Sequence, residues 1–166
     1  MAISTVKYDE RGSSKRAKYR IVVLGNLDPH LWSKSDCFAP VMSMMEVRLL
    51  TAMAIHFCKT LKSGDSKQAF CQAKLPKGEE YIPKLPPGCP LTPQGTYRKL
   101  QGTLYGLKRS PRHWFDKSCT IFKLLGLPQC ANGPCLFHGN IISETRVNGT
   151  WDCMSTILYT SPPIPK

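Results

Sequence analysis

The sequence predicts an α+β fold, a small mixed or antiparallel sheet packed on two main helices. Three observations carry that reading: strand-like runs and helix-like runs are both present, they do not alternate as a regular βαβ repeat, and no internal repeat is visible. The 166 residues suffice for one hydrophobic core.

Residues 1–17 form a polar, basic N-terminal segment, followed by a β-rich run, Tyr19-Arg20-Ile21-Val22-Val23-Leu24, that ends at the turn residues Gly25-Asn26. Residues 28–40 carry two prolines and several polar residues and read as a loop. Ser43 opens the first main helix, because Ser43-x-x-Glu46 is a capping box and good helix formers continue to about Lys59. Its apolar residues cover more than half the circumference, so a largely buried helix is expected. Leu61 to Asp65 reads as a short strand delivering an acid, and residues 66–73 as a helical turn after it. Pro and Gly dominate residues 76–93, with a β-like Tyr81-Ile82-Pro83, and residues 97–100 are a further strand candidate.

The second main helix starts at Ser110-Pro111, where an N-cap and a first-turn proline stand in their preferred order. Trp114, Phe115, Ser118, Ile121, Phe122 and Leu125 give it an apolar stripe, and Gly126 suits its C-terminal stop. Cys135-Leu136-Phe137 is the last clear strand. Residues 143–166 lose the pattern and end in a proline-rich run with no reason to be ordered.

Lys and Arg number 23 against 11 Asp and Glu, a net charge of +12, which makes a polyanion the natural partner and nucleic acid the first candidate. No apolar run could act as a signal peptide or cross a membrane, so an intracellular chain is expected, its compartment unspecified. The eight cysteines are scattered and read as reduced thiols. Cys130, Cys135 and His138 lie close in sequence, but the paired C-x₂-C spacing and a fourth ligand are lacking, which argues against zinc. Asn148-Gly149-Thr150 matches a glycosylation sequon that an intracellular chain would never present to that machinery.

Six segments, in order, resemble the reverse transcriptase of copia-type long-terminal-repeat retrotransposons. They are Lys18-Tyr19-Arg20-Ile21-Val22-Val23-Leu24-Gly25, Phe38-Ala39-Pro40-Val41, Val47-Arg48-Leu49-Leu50, Gly64-Asp65-Ser66-Lys67-Gln68-Ala69-Phe70, Pro86-Pro87-Gly88 and Leu104-Tyr105-Gly106-Leu107-Lys108-Arg109-Ser110-Pro111-Arg112-His113-Trp114. The last, similar to L-Y-G-L-K-[QR]-[AS]-P-R-x-[WF], is the most specific. The resemblance implies a partial fingers and palm domain over residues 18–142, with 143–166 as a separate tail.

It also implies roles. Nucleotidyl transfer uses two divalent cations held by clustered carboxylates, so Asp65 becomes the first catalytic acid and a Mg²⁺ ligand. Read alone, it is a cap or turn residue. Phe70 would stand under the incoming sugar and select deoxynucleotides, or else be a core aromatic. Lys18 and Arg20 would contact triphosphate or template, or else be a solvated edge. Tyr105 and Gly106 resemble the loop under the template base, and Lys108, Arg109 and Arg112 would bind nucleic acid. Cations at a helix start oppose the macrodipole, which favours an anionic ligand over a plain surface helix. Template-primer, deoxynucleotides, and the integrase and ribonuclease H modules of an intact polyprotein are the partners so implied.

The family's other two acids sit in a Y-V-D-D hairpin after the Cys135-Leu136-Phe137 strand, yet no Asp-Asp pair occurs in this chain, and Asp152 lies in Trp151-Asp152-Cys153-Met154. Back-translating residues 151–166 with codons chosen to favour it, then starting two bases later, gives G-L-Y-V-D-D-F-I-Y-F-S-T-D-P-K. The expectation is a frameshift between about His138 and Trp151 and a chain that does not polymerise. The alternatives are a non-catalytic basic nucleic-acid-binding module and a pseudogene product without function.

Overall fold

The structure is a computed structural model and describes residues 1–87, 96–139 and the backbone of 157–158. The architecture is α+β, as expected. A two-stranded antiparallel sheet and a three-stranded antiparallel sheet accompany two main helices. The chain forms two compact units: Met1–Cys37 with Gln68–His113, and Phe38–Lys67 with the chain from Trp114 onward.

In the first unit, β1 (Ala2–Tyr8) pairs with β2 (Ser14–Ile21) from Ala2↔Ile21 to Tyr8↔Ser14. The turn between them is built by Asp9, whose carboxylate accepts the Arg11 and Ser13 N–H groups at 2.9 Å each, and by Gly12 at φ +77°. Glycine takes this left-handed conformation without strain, and the strand register shifts between Lys7 and Tyr8 as the hairpin enters the turn. Strand structure thus begins at Ala2, well before the sequence-based strand at Tyr19, because the polar segment pairs with the basic run. Residues 25–27 form a short helical turn where the Gly25-Asn26 turn was expected, and α1 (Lys34–Cys37) is a short helical turn within the expected loop.

Two short elements then position the centre of this unit. Helix α3 (Ala69–Gln72) is tied to the chain before Tyr105 by Thr103, whose hydroxyl donates to the Phe70 carbonyl and whose N–H donates to the Ala73 carbonyl at 2.9 Å. The expected strands at residues 81–83 and 97–100 reduce to one isolated bridge, Lys84↔Tyr97. Pro83, which has no N–H to donate, limits the ladder, so that the Arg98 and Leu100 N–H groups bond to the Pro83 and Tyr81 carbonyls at 3.2 and 2.9 Å without forming a regular strand pair.

In the second unit, α2 (Met44–His56) has the capping box read from sequence: Ser43 Oγ accepts the Glu46 N–H at 3.2 Å and Glu46 accepts the Ser43 N–H at 2.6 Å. Its expected burial does not follow. Only Leu50 is buried, while Met45, Leu49 and Ile55 are exposed. A wide apolar surface specifies that a helix can be covered, and the described residues cover one line of it.

The core of this unit lies under α4 (Ser110–Leu124), through Trp114, Phe115 and Ser118, against β3 (Gln129–Cys130) and β4 (Gly133–Phe137). Phe122 and Phe137 rings stand 4.5 Å apart. Gly126, at φ +75°, ends the helix as expected: its N–H meets the Lys123 carbonyl and the Leu127 N–H meets that of Phe122, with Leu127 fully buried. At the other end, Ser110 differs from the N-cap expectation. It is already helical, and its hydroxyl donates to the Leu104 carbonyl at 2.6 Å, fastening the preceding loop. β4 also pairs with β5 (Ile157–Leu158).

Leu61 to Asp65 is not the expected strand. It is irregular and exposed, because no strand among the described residues pairs with it. The rest of the tail from residue 143, with Asn148 and Asp152, lies outside the described residues, as does Gly88. No helix among those described is long and apolar enough to cross a membrane.

Candidate nucleic-acid interface

Arg20, Phe70, Tyr105 and Gly106, which the sequence marked separately, come together in the first unit. The Val23 N–H, just past β2, donates to the Tyr105 carbonyl at 2.8 Å, so the strand exit and the Tyr105-Gly106 loop are hydrogen-bonded neighbours. Gly106 sits at φ +91°, and a Cβ there would collide with the Val23 carbonyl; a Cβ on Gly25 would collide with the Gly106 carbonyl. Two glycines therefore allow backbone to lie on backbone at this point.

The result gives the half-buried Tyr105 ring two partners. Phe70, buried on α3, meets it edge-on at 5.4 Å, and the Arg20 guanidinium lies over the ring, 6.0 Å from its centroid. A cation over a tyrosine ring is attracted by its quadrupole and also holds the ring's orientation. Lys18, half-buried, stands two residues before Arg20 on the same face of β2.

Arg109 takes another place. Its guanidinium pairs with the Glu79 carboxylate, packs 4.5 Å over the Trp32 ring and reaches the Asp36 carbonyl at 3.4 Å. Glu79 is engaged on its other oxygen by His113 Nε2 at 3.0 Å, and all three side chains are largely buried. Trp32 in turn donates its indole N–H to Asp28 at 3.0 Å, and His30 meets the same carboxylate at 2.6 Å. Burial raises the Asp28 carboxyl, but the bonds from His30 and Trp32 outweigh it and hold the group below the ordinary aspartate range. Beside this network Tyr81 is buried, and that burial, with the nearby Asp28 and Glu79 charges, pushes its hydroxyl up to about 12.

Sequence reasoning singled out Arg109 but not Glu79, His113, Trp32, Asp28 or His30. The available signal was modest: two adjacent acids, Glu79 and Glu80, in the Pro/Gly-rich stretch and a tryptophan in a polar loop. Lys108, next to Arg109, is exposed, and Arg112 is half-buried with contacts of its own.

Asp65 belongs to the second unit, exposed in irregular chain. Among the described residues no three His, Cys, Asp or Glu side chains converge as a metal would need. Two divalent cations require several shared carboxylates. The residues described thus do not fit such a pair. Cys130 and Cys135 are free thiols, and burial pushes that of Cys135 up to about 11.

Comparison with known proteins gives this geometry its context. The family model described as reverse transcriptase (RNA-dependent DNA polymerase) matches residues 2–139. The retrovirus-related Pol polyprotein from transposon RE1 of Arabidopsis thaliana is 30% identical over 137 residues, 81% of this chain and 9% of that protein. The corresponding polyprotein from transposon RE2 of the same plant is 29% identical over 137 residues, with the same coverage. That from transposon TNT 1-94 of Nicotiana tabacum is 28% identical over 134 residues, 79% of this chain and 10% of that protein. The chain therefore spans about a tenth of the length of these relatives. No solved structure matches. The ordered motifs from Lys18 to Trp114 and the match over residues 2–139 together place the chain in the reverse transcriptase (RNA-dependent DNA polymerase) family, in its copia-type branch.

Proposed function

We propose that this chain is the fingers and first palm segment of a retrotransposon RNA-directed DNA polymerase, able to handle nucleic acid but unable to polymerise. The observation that carries the reading is Asp65: an exposed acid with no carboxylate cluster around it among the described residues, in a chain without any Asp-Asp pair. In the intact family Mg²⁺ would supply nucleophile activation and charge neutralisation. No step through it is derived for this chain, because one carboxylate cannot hold two cations in register. Asp65, Phe70, Tyr105, Gly106, Lys18 and Arg20 are the residues assigned to the ancestral nucleotide and template site. Lys108 and Arg112 are assigned to nucleic acid; Arg109 is assigned to hold the loop from which Lys108 projects.

The tail supports the same reading. Trp151 has one codon and every aspartate codon begins with GA, so the shifted frame begins with glycine. Either aspartate codon followed by cysteine then gives leucine. The next shifted codon is tyrosine or histidine, and Met154 followed by four of the six serine codons gives valine. The aspartate pair follows for particular third bases of Ser155 and Thr156. The encoding DNA decides this. Reading it two bases on from the Trp151 codon start is expected to give Tyr-Val-Asp-Asp, and any other residues at the two aspartate positions would remove the frameshift from the account.

A second reading, a basic binding module without catalysis, is favoured by the net charge of +12 and the exposed Lys108. The template-primer, deoxynucleotides, integrase and ribonuclease H remain the proposed partners of the intact element.

A further inference from the structure

Strands β1 and β2 form a sheet of their own, and no third strand among the described residues lies beside β1. At the mouth of the hairpin the Met1 amino group donates to the Val22 carbonyl at 2.9 Å, and the Val22 N–H donates to the Met1 carbonyl at 2.8 Å, so these two residues are a hydrogen-bonded pair. Bonded and non-bonded pairs alternate along an antiparallel ladder. Ile3, Thr5 and Lys7 therefore turn their N–H and C=O groups toward β2, while Ala2, Ser4 and Val6 turn theirs away from it. Among the described residues nothing meets those outward groups. Native sheets defend such an edge with prolines, charges or bulges. Residues 2–6 have none of these: the run is Ala-Ile-Ser-Thr-Val, and the register shift comes after it, between Lys7 and Tyr8.

The two faces beside this edge differ in chemistry. On one, Lys7 stands opposite Arg16, Thr5 opposite Lys18 and Ile3 opposite Arg20, and neither strand contains an acid. On the other, Ala2, Ser4 and Val6 stand opposite Ile21, Tyr19 and Ala17, with no charge among them, and Val6, Tyr19 and Ile21 are exposed. A strand added at the edge lies about 4.8 Å from β1 and presents alternate side chains to the two faces. Acids on the Lys7 side would offset the Lys7–Arg16 repulsion, since like charges directly opposite destabilise paired strands. Apolar residues on the other side would cover Val6 and Tyr19. A second copy of the chain is the poorer occupant. Two β1 edges joined antiparallel about a twofold axis keep like faces together, so two cationic faces would stand side by side in a chain already at +12.

We propose that the outer edge of β1 is a docking site for an extended peptide segment that alternates acidic and apolar residues and is taken up as a third strand. Backbone bonds to Ala2, Ser4 and Val6 supply affinity, and the two unlike faces supply the preference. The site works without polymerase activity and does not rest on the chain's handling of nucleic acid.

The test uses the full chain and fluorescence anisotropy with a labelled seven-residue peptide of alternating Glu and Val, against a permuted control in which the four Glu precede the three Val. The unaltered chain is expected to bind the alternating peptide about tenfold more tightly than the control, a gap that ordered backbone bonds provide. Ser4→Pro removes one outward N–H and no bond to β2, and should weaken binding on the order of tenfold with an unchanged far-ultraviolet circular dichroism spectrum. K7E/R16E keeps a like-charged pair across the strands and should exchange the preference, releasing the Glu/Val peptide and binding an alternating Lys/Val peptide instead. Equal binding of the permuted control, or Ser4→Pro binding as the unaltered chain does, overturns the strand-addition mode. If Ser4→Pro alters the spectrum, K7E/R16E decides: a Glu/Val preference that survives it overturns the proposal. So does absence of binding by the unaltered chain at low salt. Sedimentation showing a dimer that Ser4→Pro dissociates would make a second copy the occupant and overturn the acidic partner.

Discussion

Replacing Glu79 by alanine is expected to destabilise the first unit by about 3 kcal/mol, the scale of breaking a largely buried ion pair from one side. The loss exceeds that of a surface salt bridge because Glu79 serves two partners. Arg109 and His113 each use one of its oxygens, and both are left with a polar group facing a largely buried site. Arg109 retains its Trp32 stacking and the Asp36 carbonyl, which limits the damage. Urea unfolding followed by tryptophan fluorescence measures it, with Trp32 inside the network as one reporter. A change below about 1 kcal/mol, the surface-pair range, would mean that the network does not hold the unit. The same geometry separates Arg109 from its neighbour: R109A should unfold at lower urea, whereas K108A should leave stability within about 0.5 kcal/mol.

Gly106→Ala is expected to cost a similar amount, about 3 kcal/mol, through two causes that add. An L-residue at φ +91° is strained by roughly 1–2 kcal/mol, and the new methyl meets the Val23 carbonyl, with the Val22 side chain also too close. A carbonyl cannot turn aside as a flexible side chain can, so strand exit and loop must separate. The Val23 to Tyr105 hydrogen bond would then be lost and the Tyr105 ring released from beneath Arg20. The variant should therefore show a lowered unfolding midpoint. Unchanged stability in Gly106→Ala would contradict the close approach.

The parts of the fold that the sequence disclosed are those set by local chemistry. The Ser43–Glu46 capping box, the stop at Gly126 and the strand at Cys135-Leu136-Phe137 each depend on a few neighbouring residues, and each is present. What stayed hidden depends on partners distant in sequence. β1 alternates weakly and is exposed on both faces, so its hydrophobic pattern is faint; the turn residues Asp9 and Gly12 were the better clue. Helix α2 displays apolar residues widely, but periodicity shows which surface can be buried and says nothing of whether a neighbour covers it.

The candidate site divides along the same line. Motif order led to Arg20, Phe70, Tyr105 and Gly106, and the fold brings those four together. It could not reveal that Arg109 is committed to Glu79, since an arginine before a helix reads alike whether it meets a phosphate or a buried carboxylate. Nor could it reveal the opposition of Lys7 and Arg16, which only the hairpin register creates.

Whether the chain polymerises is the question on which the whole account turns, and primer extension answers it most directly. With magnesium, a homopolymer RNA template, an annealed primer and the matching deoxynucleotide, the chain should incorporate nothing above the level of its Asp65→Asn variant. Incorporation by the unaltered chain that Asp65→Asn abolishes would contradict it, because Asp65 would then be working with carboxylates that this account says the chain lacks.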